Sequence, residues 1–179
     1  MLKKCLMVIA LLVFSVPAAQ AEIFHSYGCS AAIGGLSEHA VGHSSSEFDF
    51  YWHSIGLFGR HDFNPKWYAD LAGDVGYMRW EANGDRRDDD ALSFEGRVII
   101  MRKLFRHLHI GAGGGLCFLD TSDSHPDLGD SGVYGLLTGK IRVPVSCKWG
   151  VDFEADHVSG VTDRDAGNNV LKARVYFRF

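Results

Sequence analysis

The chain has 179 residues, 46% of them apolar, with 18 lysines and arginines against 22 aspartates and glutamates. That acidic balance argues against nucleic acid as a partner. Proline is scarce, and no stretch beyond the first 21 residues is long and apolar enough for a transmembrane helix.

Residues 1–21, "MLKKCLMVIALLVFSVPAAQA", read as a cleavable secretory signal: two lysines, an apolar run and an Ala-Gln-Ala end. Cys5 lies too deep in that run to be a lipid-attachment cysteine. Removing the signal leaves residues 22–179, enough for one domain. The 16 basic residues that remain still face 22 acidic ones. Three cysteines are left, Cys29, Cys117 and Cys147, an odd number that rules out a complete disulfide framework.

Eight segments with period-two alternation follow, and none has a helical period. They predict strands at 27–36, 47–60, 66–81, 91–102, 107–119, 131–143, 145–159 and 168–179. The connectors differ in kind. "SEHAVGHSSS", "EANGDRRDDD", "DTSDSHPDLGD" and "GVTDRDAG" are long and polar, whereas "HDFNP", "KLFR" and the turn at Pro144 are short. Long loops at one end and tight turns at the other predict an all-β, eight-stranded antiparallel transmembrane barrel of the bacterial outer membrane.

The two faces of the strands agree with this. The last strand sets Leu171, Ala173, Val175, Phe177 and Phe179 against Lys172, Arg174, Tyr176 and Arg178. The fourth sets Leu92, Phe94, Val98 and Ile100 against Ser93, Glu95 and Arg97, and the third sets Trp67, Leu71, Val75 and Tyr77 against Asp70 and Asp74. A soluble barrel would have its apolar side inside. Here the acids of the seventh strand (Asp152, Glu154, Asp156) and the bases of the eighth are expected to face a narrow lumen and pair there. A soluble secreted sandwich is the rival architecture.

The seventh strand carries the functional question. Its apolar row runs Cys147, Trp149, Val151, Phe153 and Ala155, then ends in His157 and Ser159. With short turns in the periplasm, both residues fall at the external end of the strand, facing lipid. Asn169 on the eighth strand falls at a similar height. Such residues can simply mark the end of the apolar belt. They also match what an activated serine needs: a base within hydrogen-bond reach, and a third group to orient the ring. Asn169 is the candidate third group through its amide oxygen, which brings no charge. Asp163 and Asp165 in the connecting loop are the acidic alternatives.

On these residues the segment resembles the outer-membrane lipid A 3-O-deacylases, related to acyloxyacyl hydrolase-like proteins. The match is "HVS" at residues 157–159, "DAGNN" at 165–169 and "VLKARVYFRF" after it. The strand count and "HIGAGGGLCF" at 109–118 also fit. The resemblance implies a carboxylic ester hydrolase that removes an ester-linked acyl chain from lipid A. Ser159 would be the nucleophile, His157 the general base and Asn169 the residue at the acid position. It implies no cofactor and no metal. The implied partners are lipopolysaccharide and membrane lipids, and a homodimer is left open. Two positions depart from the family pattern: Gly160 stands where an Asn follows the serine, and Asn169 stands where the acid falls. Loss of one oxyanion donor is worth about 10²–10³-fold in rate. The alternative function is a catalytically inactive structural or surface-interaction barrel.

Other motifs carry less. His39, His43, His53, His61, His107 and His109 have no zincin spacing. "GAGGG" at 111–115 lacks the Lys-Ser/Thr of a phosphate loop and reads as a place of close strand packing. "DRRDDD" at 85–90 reads as a solvated loop.

Overall fold

The structure, a computed structural model, describes residues 24–37, 50–81, 88–121, 132–159 and 168–179. Eight strands close into one antiparallel barrel: β1 (Ser26–Ser37), β2 (Phe50–Asn64), β3 (Trp67–Glu81), β4 (Asp88–Phe105), β5 (Leu108–Thr121), β6 (Gly132–Pro144), β7 (Trp149–Ser159) and β8 (Asn168–Arg178). Each strand pairs with its sequence neighbours, and β8 returns to β1 from Gly28↔Arg178 to Ser37↔Asn169. Closure leaves no free edge, which is how a sheet satisfies its backbone in lipid.

The strands differ from the sequence expectation mainly at the short turns. β2 runs on through His61 to Asn64, and β4 through Lys103 to Phe105, each with a register shift near its end. The Asn64 side chain then accepts the amides of Lys66 and Trp67 at 2.9 and 3.0 Å, closing the β2–β3 turn. The expected start of the seventh strand at Val145 is instead a turn. The Ser146 hydroxyl accepts the amides of Lys148 and Trp149, both at 3.1 Å, and the strand begins at Trp149. A hydroxyl two or three residues before those amides captures them more readily than a ladder can at the end of a sheet. The expected signal at 1–21 lies outside the described residues.

The exterior is apolar: Ile33, Ile55, Leu71, Val98, Leu116, Leu137, Phe153 and Leu171 all point outward and are exposed. The interior is charged. Among the described residues, six carboxylates (Asp70, Asp74, Glu95, Asp152, Glu154, Asp156) and six cations (Arg60, Arg97, Lys140, Arg142, Lys172, Arg174) are buried in the lumen. An apolar exterior over a charged interior is the arrangement of a membrane-spanning barrel. Arg97 meets Asp74, Glu95 (3.0 Å), Glu154 (3.0 Å) and Asp156 (3.4 Å). Arg174 joins Asp74 at 2.5 Å to Glu154 at 3.2 Å, and Arg142 forks onto Asp152 with two bonds of 2.7 Å. The charges balance, which makes their burial tolerable.

Both ends of this network are capped by apolar side chains on the same inward face. Trp52, Ala91, Cys117, Leu119, Tyr134, Leu136, Val158 and Val170 cluster at the long-loop end, and Tyr68, Ile99 and Met101 at the short-turn end. Among the described residues these side chains occupy the interior, as expected where eight strands enclose only enough room for side chains.

The glycines of β5 are close-packing positions. A Cβ at Gly113 would lie 2.0 Å from the Val98 carbonyl oxygen and 2.6 Å from the Ile99 Cα, both backbone atoms. Gly113→Ala is therefore expected to cost about 1–3 kcal/mol, the usual range for overpacking. A Cβ at outward-facing Gly139 meets only the Ala155 carbonyl, at 3.9 Å. Gly139→Ala should stay within about 0.5 kcal/mol of wild type. Urea midpoints of the heat-modifiable folded band compare the two, and equal midpoints would refute the packing account.

Candidate active site

Alternation decides which side chains of β7 meet the membrane. Asp152, Glu154, Asp156 and Val158 are buried inward, while Ala155, His157 and Ser159 are exposed on the outer face. Asp156, next to His157 in sequence, is thus on the wrong side of the sheet to serve it. Its carboxylate is held by Lys172 at 2.8 Å and Arg97 at 3.4 Å.

Strand register supplies the partner of the histidine. His157 stands directly opposite Asn169 in the β7–β8 ladder, and the two side chains meet at 3.0 Å, imidazole Nδ1 to amide Oδ1. An amide oxygen only accepts, so Nδ1 carries a proton, and in the neutral ring the lone pair is then on Nε2. This is the tautomer in which a neutral imidazole can take a proton at Nε2.

On its other side, β7 pairs with β6, which brings Gly135 opposite Ser159 and Leu137 opposite His157. The Ser159 hydroxyl donates to the Gly135 carbonyl oxygen at 3.3 Å. Among the described residues no hydrogen bond links Ser159 to His157. The serine hydroxyl is engaged by β6, and an exposed side chain exchanges rotamers readily. Gly135 gives the hydroxyl room: a Cβ there would lie 2.7 Å from Ser159 Oγ.

One outward step toward the membrane centre, register aligns three small residues, Ala112, Gly139 and Ala155, across β5, β6 and β7. All three are exposed and carry at most a methyl group, so the surface below the histidine has no bulky side chain in this row. Leu116, Leu137 and Leu171 stand beside it with 55–62% of their surface exposed.

The arrangement brings together His157 and Asn169, with Ser159 two residues along the same face. Gly160, Asp163 and Asp165 lie outside the described residues. Gly135, Leu137 and the small-residue row were missed from the sequence. The alternation of "VYGLLTGK" does put Gly135, Leu137 and Gly139 in one row, but only strand register shows that this row borders Ser159. Of the other histidines, the His109 ring lies 2.8 Å from the Tyr68 hydroxyl inside the barrel, and His107 donates to the Pro144 carbonyl at 3.2 Å. Among the described residues, no three His, Cys, Asp or Glu side chains gather into a metal-binding set.

No protein-family model matches this chain, and no curated protein matches it. Solved structures do. The outer membrane enzyme PagL aligns with a TM-score of 0.55 and 17% identity over 83% of this chain and 97% of its own. Ail, the attachment invasion locus protein of Yersinia pestis, aligns with a TM-score of 0.51 and 14% identity over 86% of this chain and 97% of its own. A de novo designed transmembrane β-barrel aligns with a TM-score of 0.51 and 10% identity over 86% of this chain and 95% of its own. At these identities the likeness is one of fold, shared by an enzyme, an attachment protein and a design: the chain is an eight-stranded barrel of outer-membrane type.

Proposed function

We propose that the protein is an outer-membrane esterase that hydrolyses an ester-linked acyl chain of lipid A in the outer leaflet. The observation that carries this reading is the 3.0 Å bond from His157 Nδ1 to Asn169, on the lipid-facing surface beside Ser159. His157 Nε2 takes the proton of the Ser159 hydroxyl as Oγ attacks the acyl carbonyl carbon. The resulting imidazolium gives that proton to the departing sugar oxygen as the ester C–O bond breaks, leaving a sugar hydroxyl and an acyl-Ser159. Water, deprotonated by the same nitrogen, then releases the fatty acid from Ser159. The row of small apolar residues at Ala112, Gly139 and Ala155 fits this substrate class, because an acyl chain lies against an apolar surface and needs no polar contacts.

A second reading is favoured by the Ser159–Gly135 bond and by the lack of charge at Asn169: a surface-interaction barrel with no chemistry. The two differ in what substitution does. Ser159→Ala and His157→Ala are each expected to abolish acyl release, read by mass spectrometry of lipid A from cells carrying the folded barrel. The heat-modifiable mobility should be kept. If wild type leaves the acyl pattern unchanged while correctly inserted, the esterase reading fails and the second one stands.

A further inference from the structure

The short-turn end of the barrel carries a feature that ester chemistry does not use. Lys66, Arg102, Arg106 and Lys148 are all exposed there. Apart from Asp70 and Asp152, which are buried in the lumen, the described side-chain carboxylate at this end is Asp62, paired with Lys103 at 3.1 Å. Hydrogen bonds join the turns into one rim: Lys103 N donates to the Lys66 carbonyl at 2.8 Å, and His107 to the Pro144 carbonyl at 3.2 Å.

Arg102 is the informative member. It lies on the membrane-facing row of β4, after Val98 and Ile100, while Met101 beside it is buried in the lumen. Its register partners are Trp67 and Ile110, and its guanidinium stands 5.4 Å from the Trp67 ring centroid. Phe63, Leu104 and Phe105 surround the same end, with Phe105 71% exposed. A guanidinium on a lipid-facing row, stacked on an interfacial tryptophan, sits where lipid headgroups lie and matches a phosphate with its paired N–H donors.

We propose that this rim binds the headgroups of anionic phospholipids in the periplasm-facing leaflet, with Arg102 and Arg106 on the phosphates and Trp67 and Phe105 among the upper acyl chains. A cell-wall polymer would meet the rim from the aqueous side. It would leave Arg102, on the membrane face, without a role.

The test uses the full barrel in a neutral maltoside micelle, titrated with phosphatidylglycerol or phosphatidylcholine and read by native mass spectrometry. Phosphatidylglycerol should be retained at about 25-fold lower concentration or better, since Arg102 and Arg106 each contribute roughly fivefold. Arg102→Gln with Arg106→Gln should weaken it by about 25-fold on the same scale. The Arg102→Lys, Arg106→Lys pair, which keeps the charge, should retain most of the preference. If the glutamine pair fails to fold, salt carries the test: the wild-type preference should collapse at high ionic strength. Equal retention of the two lipids overturns the proposal, as does a preference that neither substitution nor salt changes. Co-sedimentation with peptidoglycan sacculi in the absence of any lipid preference overturns it in favour of a cell-wall partner.

Discussion

Exchanging Asn169 for aspartate is expected to raise the rate of acyl release by at least about 10²-fold, and toward 10⁴-fold if the charge is all that is missing. The substitution is isosteric, so the oxygen stays near the 3.0 Å position where it already meets His157 Nδ1. It adds a negative charge beside the imidazolium that forms when Ser159 gives up its proton. A charge on the lipid face close to the interface costs little, about 0–1 kcal/mol. Asn169→Glu should also gain, by a smaller factor, because its extra methylene must be accommodated. Asn169→Ala should lower the rate or leave a weak enzyme weak. Release of hydroxy fatty acid in one detergent assay compares the variants. If Asp163 or Asp165 already acts as the acid, its alanine variant abolishes activity and Asn169→Asp gives no gain. If none of these variants differs from wild type, the Ser-His reading of this surface is wrong.

The second large effect lies inside the barrel. Arg97→Met should destabilise the folded state by about 3–5 kcal/mol, the cost of stranding a buried ion. It removes one cation from among four carboxylates, those of Asp74, Glu95, Glu154 and Asp156. Adding Glu154→Gln should recover part of the loss, because it returns the lumen to equal numbers of buried carboxylates and cations. Lys103→Met breaks the pair with Asp62, whose side chains are 30% and 32% exposed, and should cost under about 1 kcal/mol. Unfolding in urea, followed by loss of the heat-modifiable band, measures all three. An Arg97→Met barrel within 1 kcal/mol of wild type would mean that water or relaxation already screens the lumen.

The strand count and facing were legible in the sequence because alternation with period two is a one-dimensional signal. Asp152, Glu154 and Asp156 against Phe153 and Ala155 is enough to orient β7. What alternation cannot carry is which residues meet across space. Acids on β7 and bases on β8 suggest pairing between neighbours, and Glu154–Arg174 at 3.2 Å is such a pair. Yet Lys172 reaches Glu95 at 3.0 Å, and Arg174 reaches Asp74 at 2.5 Å, both across the lumen. The same limit applies at the candidate site. The His157–Asn169 pairing was legible because the two strands are adjacent in sequence. The Ser159–Gly135 bond was not, since its acceptor is a backbone carbonyl, which no side-chain pattern marks. The apolar caps were also hidden: Val158 and Val170 break the charged row only at its ends, where a sequence reading expects loops to begin.

The crosswise wiring of the lumen bears on how such a chain can be assembled. Arg174 and Asp74 are separated by 100 residues, and Lys172 and Glu95 by 77. A partial sheet of the earlier strands would carry Asp74 and Glu95 without the cations that β8 delivers, and would turn them toward hydrocarbon. No single hairpin of this protein is therefore a viable membrane species. A sheet that stays sheltered until β8 pairs with β1 meets lipid with these charges already paired.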